Sequence, residues 1–175
     1  MIGERELRSL TAGRWLVPIM AHLDEASGSR FAAMLALGPS RATLAASLTQ
    51  LRDAGWVRRN AGHGHPLRPE YLLTDAGAPV AAFARSVMAS RARLGLEPDR
   101  LSRWSLPVVI RLDGGEARFS ALRDSLRPVT PRALSLTLKQ LLGARLIERE
   151  LEDDFPPVPI YGLTGRGARL AEAMR

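Results

Sequence analysis

With 175 residues, 46% of them hydrophobic, the chain suits one large domain or two small ones and can bury a real core, which excludes intrinsic disorder. The absence of cysteine excludes disulfide frameworks, thiolate metal sites and thiol nucleophiles in one step. The 25 basic and 18 acidic residues leave a net charge of +7, which favours an anionic partner such as nucleic acid; arginine-rich coding bias explains the same count as well, since Lys139 is the sole lysine.

The segment Met1-Ile2-Gly3-Glu4-Arg5-Glu6 carries acids where a signal peptide needs a basic start. No run reaches the ~20 apolar residues of a membrane span, so a cytoplasmic protein with no membrane partner is expected. Trp15, Leu16, Ile19, Met20 and Leu23 then recur at helical spacing and predict an amphipathic helix, with Trp15, and Trp104 at the equivalent place in the second half, expected in the core. Arg30-Phe31 leads into a brief second helix bearing Met34 and Leu35. Ser40 is a good N-cap, and Leu44, Leu48 and Leu51 lie one turn apart, predicting a third helix. Trp56-Val57-Arg58-Arg59, a Pro-containing loop and Tyr71-Leu72-Leu73-Thr74 predict a β-hairpin. A helix follows Thr74 and continues through Phe83–Ala89, ending near Gly95, Pro98 and Asp99.

The second half repeats the first. Arg14-Trp15-x-x-Pro18 returns as Arg103-Trp104-x-x-Pro107, Arg30-Phe31 as Arg118-Phe119, and Leu23-Asp24 as Leu112-Asp113. Beyond Leu44 the match is gapless: Leu44, Leu48, Gln50, Leu51, Ala54, Arg59, Tyr71, Leu73, Thr74 and Gly77 recur as Leu134, Leu138, Gln140, Leu141, Ala144, Arg149, Tyr161, Leu163, Thr164 and Gly167. Thr130 caps the second third helix, with Pro131 in its first turn. A period of about 90 residues is domain-sized, so two copies of one fold are expected: residues 1–83, a helical connector over 84–101, and residues 102–175.

Three helices, the third capped, followed by a two-stranded hairpin make the winged helix-turn-helix plan, in which the third helix enters a major groove and the hairpin touches backbone. The expected class is therefore mainly α with small β-hairpins (α+β), as two tandem winged helix-turn-helix domains. The sequence resembles the HxlR-type branch of the MarR-like bacterial regulators through Arg14-Trp15…Ile19…Leu23, Arg30-Phe31, Ser40…Leu44…Leu48…Leu51, Trp56-Val57-x-Arg59 and Pro69-x-Tyr71-x-Leu73-Thr74-x-x-Gly77, and through the same motifs in the second copy. The resemblance implies a cytoplasmic transcription regulator that dimerises through terminal helices and binds double-stranded DNA at a pseudo-palindromic operator. Two copies in one chain then look like a fused dimer, a monomeric pseudo-dimer.

With the leucines turned inward, the first third helix points Ala42, Ala45, Ala46, Thr49 and Asp53 outward, with Arg41 and Arg52 at the margins. The second points Arg132, Ser135, Leu136, Lys139 and Gly143 outward. The first hairpin is basic, with Arg58, Arg59, His63, His65 and Arg68, whereas the second sets Glu148, Glu150, Glu152, Asp153 and Asp154 around Arg149. Candidate DNA contacts are thus Ser40, Arg41, Thr49, Arg58, Arg59, His63, His65 and Arg68 in the first copy, and Thr130, Arg132, Ser135, Lys139 and Arg149 in the second.

His63-Gly64-His65 is an incomplete metal set, and the acidic run Glu148 to Asp154 lacks the pattern and central glycine of a calcium loop. Phosphate-binding, dinucleotide and nucleophile-elbow motifs are absent, and His22, His63 and His65 are the sole near-neutral bases. No catalytic residue, cofactor or metal is expected, and an enzyme is the less favoured reading. A small-molecule effector is expected in the cleft between the copies, because pockets favour domain interfaces. The alternative is a winged-helix pair that has abandoned DNA and binds or transforms a small molecule, motivated by the alanine face and the acidic hairpin; a protein-interaction module comes third.

Overall fold

The computed structural model describes residues 2–60, 70–96, 102–152 and 157–175. The chain divides into two compact units, Met1–Ala89 and Ser90–Arg175.

The first unit begins with α1 (Glu4–Leu10), a helix the apolar periodicity did not reveal. Its signals are local: Glu4 and Glu6 sit in the first turn, the Gly3 N–H donates to the Glu6 carboxylate at 2.6 Å, and Leu7 and Leu10 are buried. Next come α2 (Leu16–Glu25), α3 (Phe31–Met34), a 3-10 turn (Leu35–Leu37) and α4 (Arg41–Asp53). The hairpin is β1 (Val57–Arg59) against β2 (Tyr71–Leu73), antiparallel with Arg58 opposite Leu72. Ser29 forms an isolated bridge to Tyr71, exchanging N–H···O bonds of 3.0 and 2.9 Å. The long α5 (Gly77–Arg93) runs on past Ala89.

The second unit repeats the order: α6 (Ser105–Asp113), β3 (Ala117–Arg118), α7 (Phe119–Ser125), α8 (Pro131–Gly143), β4 (Ile147–Glu152), β5 (Val158–Leu163) and α9 (Gly165–Glu172). Here the bridge of the first unit has grown into a strand. β3 pairs with β5, giving a three-stranded antiparallel sheet in the order β3-β5-β4. Its Ala117↔Tyr161 pair matches Ser29↔Tyr71, so the hairpin expected from sequence is part of a slightly larger sheet.

Buried side chains coincide in the two units. Leu44, Leu48 and Leu51 on α4 answer to Leu134, Leu138 and Leu141 on α8, and Val80 and Ala84 on α5 to Leu170 and Met174. Burying each such leucine stabilises the fold by roughly 2 kcal/mol before entropy is charged against it. Trp15 and Trp104 correct the expectation of core aromatics, because both are only half-buried. They occupy the N-cap positions of α2 and α6, ahead of the apolar stripe, and each packs under a guanidinium: Arg14 lies 5.2 Å from the Trp15 ring and Arg103 5.3 Å from the Trp104 ring. The buried tryptophan is Trp56, in the turn between α4 and β1.

Among the described residues no single helix is long and apolar enough to cross a membrane, and no group of histidine and carboxylate side chains is placed to hold a metal ion.

Candidate nucleic-acid interface

In each unit the candidate surface consists of the exposed face of one helix and the hairpin that follows it. On α4 the Ser40 hydroxyl accepts from the Thr43 N–H at 3.1 Å, and on α8 the Thr130 hydroxyl accepts from the Ala133 N–H at 3.2 Å. Both residues flagged as DNA contacts are therefore occupied as N-caps, and both remain exposed. The seam Leu44, Ser47, Leu48 and Leu51 is buried on α4, as is Leu134, Thr137, Leu138 and Leu141 on α8. The Thr137 hydroxyl satisfies itself on the Ala133 carbonyl at 2.9 Å and on Ser102 at 2.9 Å.

Two residues further round each helix, about 200° away, lies the free face. Ala42, Ala45, Ala46 and Thr49 are exposed on α4; Arg132, Ser135, Leu136 and Lys139 are exposed at the equivalent positions of α8. Arg41 is exposed in the first turn of α4, where α8 has Pro131. Each helix ends in the same way, with the Trp56 N–H bonded to the Leu51 carbonyl and the Leu146 N–H to the Leu141 carbonyl, both at 3.0 Å. This Schellman closure turns the chain abruptly into the hairpin through a left-handed residue, Gly55 (φ 76°) or Arg145 (φ 55°).

On the hairpins Arg58 and Arg59 are exposed, and Arg59 pairs with Glu70 at 2.5 Å. The equivalent stretch of β4 exposes Glu148, Arg149 and Glu150. Arg58 is thus replaced by Glu148 and Asn60 by Glu150, while Arg149 is retained in place of Arg59. His63, His65 and Arg68, together with Asp153 and Asp154, lie outside the described residues. The structure brings Arg132, Ser135 and Lys139 onto one stripe, whereas the three matching positions of α4 hold Ala42, Ala45 and Thr49.

Sequence comparison agrees with the duplication. The model of the HxlR-like helix-turn-helix family matches residues 10–93 and again 101–175. The chain belongs to the HxlR-like helix-turn-helix family. Among similar proteins, an HTH-type transcriptional regulator of Methanothermobacter thermautotrophicus is 35% identical over 65 residues, which cover 37% of this chain and 50% of the relative. Another, sll1512 of Synechocystis, is 33% identical over 69 residues, covering 39% and 51%. The chain thus spans about half the length of the curated relatives it matches. Similar solved structures include a MarR-family regulator from Enterococcus faecalis (26% identity, TM-score 0.42, 51% of this chain and 76% of that one). The reduced form of the transcriptional regulator YodB from B. subtilis is also similar (25% identity, TM-score 0.40, 49% and 78%).

The signals that sequence reading missed lie behind the interface. The Thr74 hydroxyl donates to the Gly55 carbonyl at 2.6 Å and accepts from the Gly77 N–H at 3.0 Å; Thr164 repeats this with Arg145 at 2.8 Å and Gly167 at 3.1 Å. These bonds clamp the end of the exposed helix to the start of the last helix. The recurring Thr-x-x-Gly motif was visible in the sequence, and its bonding pattern was not.

Proposed function

We propose that this chain is a DNA-binding transcriptional regulator that carries two winged reading heads, residues 1–83 and 102–175, on one polypeptide joined by the connector 84–101, whose first part is the end of α5. The observation that carries this reading is the pair α4 and α8: each is N-capped, anchored by a buried leucine seam, free along its opposite face and followed at once by a hairpin. Arg41, Thr49, Arg58 and Arg59 in the first head, and Arg132, Ser135, Lys139 and Arg149 in the second, are the side chains proposed to meet the duplex. Ser40 and Thr130 act by fixing the first turn of each helix, where free N–H groups favour phosphate. The net charge of +7 supports attraction to the duplex.

Retention of DNA from upstream of the protein's own gene, followed across salt concentrations, tests the reading. Retention at low salt is expected, with affinity falling about a thousandfold or more between 50 and 200 mM salt if some six or more phosphates are contacted. Failure to retain any fragment at low salt sinks it.

A further inference from the structure

We infer that the two heads divide the work of recognition: α8 in the second unit reads bases, whereas the first unit holds the phosphate backbone. The inference rests on the regulator reading above. The two faces occupy identical registers, since Ala42, Ala45, Ala46 and Thr49 correspond to Arg132, Ser135, Leu136 and Lys139 and all eight are exposed. Three alanines offer methyl groups alone, which can touch a thymine methyl and cannot donate or accept a hydrogen bond. Across the four matched positions α8 carries the Arg132 guanidinium, able to grip guanine O6 and N7 in a bidentate fork, the Ser135 hydroxyl and the Lys139 ammonium, against the Thr49 hydroxyl alone on α4. Leu136 adds an independent sign. It is 55% exposed on this otherwise polar stripe, one of two large hydrophobic side chains so exposed among the described residues, and a thymine methyl is an apolar partner of the right kind.

The hairpins carry the opposite bias. The first head presents Arg58 beside its helix and Arg41 at the helix start, cations suited to phosphates at either end of the contact. The second presents Glu148 and Glu150 on either side of Arg149, so repulsion of phosphate by two carboxylates outweighs the one cation and leaves α8 less backbone attraction than the first head has. A head able to discriminate but poor at holding on is therefore joined in one chain to a head able to hold on but poor at discriminating. Tethering makes the combination effective, because binding by one head raises the local concentration of duplex at the other.

The test is selection of sites from randomised duplex DNA by the full chain. A strong consensus is expected over the few base pairs under one head, with the rest of the footprint tolerant. Arg132→Ala and Lys139→Ala should each relax one consensus position by about 10- to 100-fold in discrimination. Arg58→Ala should leave the consensus unchanged, weaken every site alike and flatten the logarithmic salt dependence by about one. A chain carrying Ala42→Arg, Ala45→Ser, Ala46→Leu and Thr49→Lys, with an unchanged thermal transition, should select a second copy of the same motif. Two equally specified motifs selected by the wild-type chain, a consensus altered by Arg58→Ala, or a grafted chain that gains no second motif would each overturn the division of labour while sparing the regulator reading. Absence of binding to every sequence at low salt would remove both.

Discussion

At the scale of single residues, the repeated Thr-x-x-Gly motif has a steric cause. A Cβ placed on Gly77 would lie 2.0 Å from the Trp56 carbonyl oxygen, and one on Gly167 would lie 1.9 Å from that of Leu146. Those carbonyls accept from Thr74 and Thr164 N–H groups at 3.0 and 3.1 Å, so backbone that is already bonded would have to move. Gly77→Ala and Gly167→Ala are therefore each expected to lower unfolding free energy by about 3 kcal/mol, measured by urea denaturation. Arg145 shows the converse. It adopts a left-handed φ of 55° where the first unit places Gly55, and a side chain there strains the backbone. Arg145→Gly should raise stability by about 1 kcal/mol, and an unchanged or lowered midpoint would show that the Arg145 side chain stabilises the fold in some other way.

At the scale of elements, one ion pair is duplicated along with the fold. Arg85 on α5 meets Asp24 on α2 at 2.6 Å, and Arg175, just after α9, meets Asp113 on α6 at 2.7 and 3.0 Å. The carboxylates stand 89 residues apart and the arginines 90, so this pair was present in the sequence repeat; pairing across more than 60 residues is a tertiary fact that spacing alone does not disclose. Hydrogen bonding from Arg175 holds the Asp113 carboxyl below its ordinary value, and Asp113 in turn raises the guanidinium. A carboxyl whose folded pKa is depressed stabilises the fold above its unfolded pKa and loses that contribution as pH falls through the folded value. Wild type should accordingly be modestly more stable than Asp113→Asn at neutral pH, with the gap closing below about pH 4. Exposure and salt keep the gap small, and raising salt should shrink it further.

At the scale of the whole molecule, the proposed pair of reading heads on one polypeptide would remove the usual need for a second subunit to supply the second helix. A single species of 19.1 kDa is expected by light scattering across the micromolar range, and a mass that settles at twice that value would count against the fused-dimer proposal. Tandem fusion also frees the two heads to diverge, since a change in one no longer appears automatically in the other as it does in a homodimer. The divergence at the four matched positions of α4 and α8 is what such freedom allows.

Much of the fold was legible without coordinates. Apolar spacing, capping residues and the 90-residue repeat suffice for α2, α4, α6, α8 and both hairpins, because these depend on local periodicity and on residues that recur in register. The outward stripes could be read the same way, since the angle between side chains on a helix follows from their separation along the chain. What tertiary structure alone decided involves partners distant in sequence: β3 adding to β5, Thr74 and Thr164 clamping the preceding turn, Arg175 reaching Asp113, and Trp15 and Trp104 lying half in solvent. Periodicity states which face of an element is apolar, whereas contact between elements depends on where the chain brings them together.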